Sequence, residues 1–171
     1  TFSGDLNIAE NIIHTGDTNT KISFPSNDTI QLKAASNTTT LENLKSTILS
    51  GVPYLGTSAG SNLCGLSIGT SNDMPIVYPP SFEALGVLPF NINPHYTDPN
   101  MKSKHMGENR QTRINEFHFF NKQLVVGLKE GSYLKVIGNE IVLKGEYNAV
   151  IFEKGKEPFE IKPGSSIDNL V

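Results

Sequence analysis

The pentapeptide Gly-Thr-Ser-Ala-Gly at residues 56–60 is the feature that most constrains how this chain can fold. It lies between the apolar run Val-Pro-Tyr-Leu at 52–55 and a segment from Ser61 that can form a helix. A serine on a sharp strand-to-helix turn has a strained backbone, and glycines two positions away on each side avoid a collision there. Glycine and serine are also common in loops. The pattern therefore predicts either a nucleophilic Ser58 or an ordinary loop serine.

A serine nucleophile needs a base, and the base needs a partner that orients it. His95 follows an apolar segment and stands beside Pro94, so we expect it at the end of a strand. We expect His14 at the surface of an N-terminal hairpin, His105 in a loop, and His118 packed on a helix beside aromatic residues. On these grounds His95 is the best candidate base for Ser58. The same turn would direct the N–H of Ala59 at a developing oxyanion.

The chain changes character near Ser36, which predicts a β-rich appendage over 1–38 and a second domain over 39–171. Residues 21–34 alternate apolar and polar side chains about a Pro-Ser-Asn-Asp turn, which is typical of a hairpin. In the second domain, apolar residues at helical spacing predict a helix that starts with a Thr39–Glu42 capping box and stops at Gly51. The run at 52–56 is then expected to be a buried parallel strand.

Later segments continue this mixture of helices and strands. Residues 107–120 predict a helix with Ile114 and Phe117 inward, and Gln123–Leu128 an apolar strand. Two hairpins are expected, about Gly138-Asn139 and Lys154-Gly155. Helices followed by strands in this order indicate α/β architecture.

Composition excludes several functional classes. The net charge is −3 and the pI about 5.8, so no basic excess favours nucleic acid or anionic lipid. No apolar run approaches the roughly 20 residues that span a bilayer, and no signal peptide is visible, which fits a cytoplasmic protein. The single cysteine, Cys64, excludes an internal disulfide, and we expect it to be buried packing.

Four segments together resemble the peptidase E (α-aspartyl dipeptidase) family of serine peptidases. They are "YLGTSAGSN", "TSNDMPIVYPPSFEALGVLPFNINPHY", "GENRQTRI" and "VVGLKEGSYLKV", in the family's order between about residues 40 and 162. The separation of 37 positions between the serine and the histidine also agrees with the family. The resemblance implies part of a class I glutamine-amidotransferase-like (flavodoxin-like) parallel sheet, a Ser58 nucleophile, a His95 base and no cofactor or metal.

The same resemblance implies the remaining site residues. Glu130 of "GLKEGS" or Asp73 of "NDMP" would complete the triad; without the resemblance they would be a β-turn carboxylate and a turn-capping aspartate. Arg110 would bind the substrate's aspartate side chain, and Glu108 is a further substrate-binding candidate nearby. Asn72 and Asn62 are weaker candidates for polar residues of the site. The alternative for the arginine is a solvated helix charge. The expected partner is a small Asp-X peptide, with a homo-oligomer as a further possibility.

The family's Gly-rich loop and first sheet strands have no counterpart upstream of the matched region in this sequence. Residues 4–34 instead resemble β segments of phage tail fibres. Loss of one oxyanion donor typically costs about 100- to 1000-fold in turnover, so impaired activity is expected. The alternative function is a catalytically inactive structural or binding module of a virion.

Overall fold

The computed structural model describes residues 11–13, 21–26, 29–34, 37–72, 77–98 and 109–168. The chain separates into two compact units, Thr1–Val52 and Pro53–Val171. The domain boundary predicted between residues 38 and 39 rests on composition and stays a prediction. No helix within the described ranges has the length and apolar character needed to cross a membrane.

The first unit contains a four-stranded antiparallel sheet followed by a helix. The elements of this unit are β1 (Asn11–Ile13), β2 (Lys21–Ser26), β3 (Thr29–Ala34), β4 (Asn37–Thr39) and α1 (Leu41–Leu49). Strands β2 and β3 pair as the predicted hairpin, with Ile22 opposite Leu32, and neighbouring strands in the sheet follow chain order.

Helix α1 is present as predicted, but the capping box was assigned one residue too early. Thr39 still pairs with Leu32 across β3 and β4, so the chain stays extended at the predicted cap. The N-cap is Thr40, whose side-chain oxygen accepts a hydrogen bond from the backbone N–H of Asn43 at 3.1 Å. Gly51 follows the helix with φ 98°, a conformation that glycine adopts without strain.

The second unit is built on a mixed four-stranded sheet. The elements of this unit are α2 (Ala59–Leu63), a 3₁₀ turn (Ile68–Thr70), β5 (Asn91–Pro94), α3 (Arg110–Phe120), β6 (Val125–Leu128), β7 (Ser132–Ile137), β8 (Glu140–Gly145), β9 (Ala149–Phe152) and β10 (Phe159–Ile161). The strand order in the sheet is β10-β9-β6-β5, where β5 and β6 are parallel and β9 pairs antiparallel with both β6 and β10. The hairpins β7–β8 and β9–β10 and the helix α3 are as predicted.

Alternation along β6 and β9 places apolar side chains on both faces of this sheet. Helix α3 covers one face, where Ile114 packs with Val125, Val150 and Phe152, and Phe117 packs beside them. On the other face the core includes residues of β8 and the chain after it. Its buried members include Phe90, Ile92, Val126, Leu128, Ile141, Leu143, Ile151 and Ile167. An α/β architecture is therefore confirmed.

The buried parallel strand predicted at 52–56 is wrong. These residues have no regular secondary structure, and Leu55 is 90% exposed. A parallel strand needs a hydrogen-bonded neighbour, and no described strand pairs with this run. A run of apolar residues indicates a tendency to be buried, but it does not tell whether a neighbouring strand is present to pair with it.

Candidate functional site

Ser58 lies on a strained turn that leads directly into α2. Its backbone angles are φ 50° and ψ −116°, and α2 begins at the next residue. Non-glycine residues rarely adopt positive φ, and a strained backbone of this kind costs about 1–3 kcal/mol. Ser58 is exposed, and its hydroxyl makes no capping hydrogen bond to α2. The turn therefore presents a free hydroxyl at the surface.

The two glycines that flank Ser58 are constrained to different degrees. A Cβ on Gly56 would lie 2.5 Å from the carbonyl oxygen and 2.7 Å from the carbonyl carbon of Gly60. A Cβ on Gly60 would meet only the Tyr54 hydroxyl, at 3.3 Å. The backbone at residue 56 thus passes too close to α2 for any side chain, which accounts for the first glycine of the pentapeptide.

His95 also has a left-handed backbone, with φ 54°. Throughout the described residues, Ser58 and His95 are the two non-glycine positions with positive φ. His95 immediately follows β5 and its side chain is 45% exposed. Strain of this kind concentrates at functional sites, because surrounding structure must hold it in place. The two residues selected from sequence as nucleophile and base are therefore also the two described non-glycine residues with a positive φ.

Parallel pairing of β5 and β6 brings His95 next to Glu130. Pro94, the last residue of β5, is opposite Leu128, the last residue of β6. Residues that follow the carboxyl ends of two neighbouring parallel strands therefore emerge side by side. His95 Nδ1 forms a hydrogen bond with Glu130 Oε1. A carboxylate on Nδ1 holds the proton there and leaves Nε2 free to act as a base.

Packing behind the histidine limits how far this strand end can move. The N–H of Tyr96 donates to Leu128 O at 3.0 Å, and Tyr96 is 4% exposed. Its ring lies on Gly127, where an added Cβ would come within 2.8 Å of the ring, and it packs against Phe152. The residue after His95 is thus anchored to β6 through both backbone and side chain.

The other predicted site residues fall into two groups. Asp73 and Glu108 lie outside the described residues. Ala59 is the first residue of α2, where helix geometry leaves an N–H without an intrahelical acceptor. Arg110 is the first residue of α3, which is capped by the side chain of Asn109 through the N–H of Thr112 at 2.8 Å. Their proposed contacts with substrate stay predictions.

Asn62 and Asn72 both engage β5 with their side-chain amides. Asn62 Nδ2 donates to Ile92 O at 2.8 Å and to Thr70 Oγ1 at 3.0 Å. Asn72 Nδ2 donates to Pro94 O at 2.6 Å, and its Oδ1 accepts from Asn93 Nδ2. Both polar atoms of the Asn72 side-chain amide bond to β5, and the substrate-binding role predicted for this residue stays a prediction.

Sequence reasoning missed Thr70 and Asn93. Thr70 Oγ1 donates to Ile92 O at 2.8 Å, and Asn93 Nδ2 donates to Thr70 O at 2.8 Å. The available signal was the pair of asparagines at 91 and 93 in an otherwise apolar strand. Both are at most 1% exposed, and buried amides need partners from neighbouring elements.

His118 and Cys64 take structural positions, whereas His14 and His105 lie outside the described residues. His118 is 7% exposed and its Nε2 bonds to Gln123 O at 2.9 Å, as expected for a packing residue. Cys64 is only partly buried, and its Sγ lies 3.3 Å from Gly60 O. Burial raises the pKa of the Cys64 thiol, and a hydrogen bond with Tyr54 offsets part of that rise. Within the described ranges, no three His, Cys, Asp or Glu residues are grouped as a metal site would require.

Comparison with known proteins points to one family. The sequence profile of peptidase family S51 matches residues 27–144. Peptidase E of Streptomyces coelicolor is 49% identical over 130 residues, which cover 76% of this chain and 54% of that protein. A probable alpha-aspartyl dipeptidase of Drosophila melanogaster is 46% identical over 121 residues, covering 71% and 50%. Peptidase E of Nostoc sp. is 42% identical over 132 residues, covering 77% and 54%. The chain therefore spans about half the length of the curated relatives it matches.

Proposed function

The chain belongs to peptidase family S51, and we propose that it is a serine dipeptidase that removes N-terminal aspartate from Asp-X dipeptides. The observation that carries this proposal is the pair of strained residues, Ser58 and His95, with Glu130 on the imidazole. Relatives named peptidase E and probable alpha-aspartyl dipeptidase support the substrate class. We further propose that β5 and β6 belong to a flavodoxin-like sheet of the class I glutamine-amidotransferase type, which their parallel pairing supports.

In the proposed reaction, Ser58 Oγ attacks the peptide carbonyl carbon while His95 Nε2 accepts the hydroxyl proton. Glu130 stabilises the resulting imidazolium through Nδ1. The tetrahedral intermediate places its oxyanion near the N–H of Ala59 and collapses as the imidazolium gives its proton to the leaving amine. Water, deprotonated by His95, then hydrolyses the aspartyl ester and frees Ser58.

Arg110 is proposed to bind the side-chain carboxylate of the substrate. A guanidinium can donate two parallel hydrogen bonds to a carboxylate, which suits selection of aspartate. Arg110 is half-buried at the start of α3 and forms no ion pair with any described residue. Asp73 stays the alternative third member of the triad, and Glu108 stays a proposed substrate-binding residue.

Hydrolysis of aspartyl p-nitroanilide tests this function. Ser58→Ala should reduce the rate to that of buffer. Glu130→Gln should lower kcat by about 100- to 10,000-fold, because a neutral amide neither fixes the tautomer nor stabilises the imidazolium. Glu140→Gln, which changes an exposed carboxylate of β8, is the matched control and should leave the rate unchanged. A wild-type rate equal to the buffer blank would instead favour the inactive structural module.

A further inference from the structure

Four polar residues, Asn62, Thr70, Asn72 and Asn93, form a hydrogen-bonded group that we call the amide cluster. Asn62 belongs to α2, Thr70 to the 3₁₀ turn and Asn93 to β5, and Asn72 follows shortly after the turn, so the cluster joins these three elements. Asn62, Thr70 and Asn93 are at most 4% exposed. We propose that the amide cluster positions the helix of Ser58 against the strand of His95, an inference that rests on the proposed function.

The first link runs from the nucleophile to the centre of β5. The N–H of Asn62 donates to Ser58 O at 3.1 Å, so the backbone of this asparagine is tied to the strained turn. Its side chain donates to Ile92 O at 2.8 Å. A single residue thus connects the serine to the strand that leads into His95, without touching either reacting atom. Asn62 is therefore a positioning residue.

The second link fixes the backbone at the base. Asn72 Nδ2 donates to Pro94 O, the carbonyl of the peptide bond that leads into His95. This peptide precedes a left-handed residue, so its orientation has to be held against the usual backbone preference. Asn93 in turn holds the Oδ1 of Asn72 at 2.6 Å. The cluster therefore acts on the two strained positions of the site at once.

Stability does not require every donor of this group. Ile92 O accepts from both Asn62 and Thr70, so either donor satisfies it. Because Thr70 keeps that carbonyl satisfied, Asn62→Ala can fold while losing the link between α2 and β5.

The control is Asn91→Ala. Asn91 is a fully buried asparagine on the same strand, and its Oδ1 accepts from the N–H of Ser67 at 2.9 Å. That bond ties β5 to the chain after α2 and does not connect Ser58 with His95. Both variants remove one buried asparagine. The activity of each variant is therefore compared together with its unfolding midpoint, which separates an effect on positioning from a general loss of stability.

The rate at which an alkyl fluorophosphonate labels Ser58 is the main readout, since it requires His95 to activate the serine but needs no aspartyl recognition. Misplacement of reacting groups by about 1 Å can cost about 100-fold, so Asn62→Ala should be labelled about 10- to 100-fold more slowly than wild type. Asn91→Ala should stay within about twofold of wild type, because its bond lies off the path between the two residues. Ser58→Ala sets the background. With aspartyl p-nitroanilide, Asn62→Ala should lower kcat by the same factor and leave KM unchanged.

Equal labelling of Asn62→Ala and wild type would overturn the inference, as would equal slowing of Asn62→Ala and Asn91→Ala. A wild-type protein that is not labelled at all would also overturn it, because Ser58 would then have no working base. If the wild type is labelled but does not hydrolyse aspartyl substrates, the proposed function fails. In that case the labelling rates of the two variants still decide the inference.

Discussion

Replacing Ser58 by glycine should stabilise the fold relative to replacing it by alanine, although both changes remove the nucleophile. The backbone at this position has φ 50° and ψ −116°, which alanine tolerates as poorly as serine does. Glycine has no Cβ and adopts this region freely. The Ser58 hydroxyl makes no capping bond to α2, so its loss has no matching cost in the helix.

The magnitude follows from two opposing contributions. Relief of a strained non-glycine backbone is worth about 1–3 kcal/mol. The greater freedom of glycine in the unfolded chain costs about 0.5–1 kcal/mol. Ser58→Gly should therefore be about 1 kcal/mol more stable than Ser58→Ala, equivalent to a Tm about 2–4 °C higher for a chain of this size.

Thermal unfolding followed by far-UV circular dichroism measures this difference. The matched control is the same pair of substitutions at Ser61, inside α2, where the hydroxyl bond to Gly56 O is lost in both variants. There the order should reverse, because glycine is about 1 kcal/mol less favourable than alanine within a helix. Finding Ser58→Ala as stable as Ser58→Gly, or more so, would refute the argument from strain.

Three further predictions concern packing, pH and reactivity. Gly56→Ala should lower the free energy of unfolding by about 3 kcal/mol, the upper range for overpacking, because the added Cβ meets the backbone of Gly60. Gly60→Ala should change it by less than about 1 kcal/mol, so equal midpoints of the two variants in urea unfolding would contradict the clash. Hydrogen bonds from Asn148, and to a smaller extent from Lys129, lower the pKa of Glu160, so the ionised carboxylate stabilises the fold at pH values above its ordinary pKa. The difference in unfolding free energy between wild type and Glu160→Gln should therefore shrink as the pH falls from neutral through that lowered pKa, and a difference that is independent of pH would contradict this. Iodoacetamide should alkylate Cys64 far more slowly in the folded protein than in denaturing urea, because burial raises the pKa of the thiol. Equal alkylation rates would show that the folded protein does not protect the thiol.

Local signals in the sequence predicted most of the individual elements. Residues 41–49 carry a helical apolar stripe, and glycine-centred turns between alternating segments gave both C-terminal hairpins. The error at 52–56 and the misassigned cap at Thr39 share a cause, because both depended on pairing with another strand. Thr39 has such a partner in β3, and no described strand pairs with the run at 52–56.

The candidate site was predictable only in part. The pentapeptide indicated the turn at Ser58, and the position of His95 after β5 followed from the apolar segment before it. The pairing of His95 with Glu130, 35 positions later, could not be derived from spacing, since it depends on the register of two parallel strands. Only the family resemblance suggested it. Contacts of the amide cluster span up to 30 positions and leave no periodic trace.

The amide cluster has a consequence for self-association. The N–H of Asn91 bonds toward β6, so alternation along the strand turns the carbonyls of Ile92 and Pro94 to the outer edge of the four-stranded sheet. Asn62, Thr70 and Asn72 already occupy those carbonyls. A strand from a second molecule would have to displace three side chains before it could continue the sheet. Side chains therefore take the place that another strand has in larger sheets, and we do not expect copies of this chain to associate by continuing the sheet at β5.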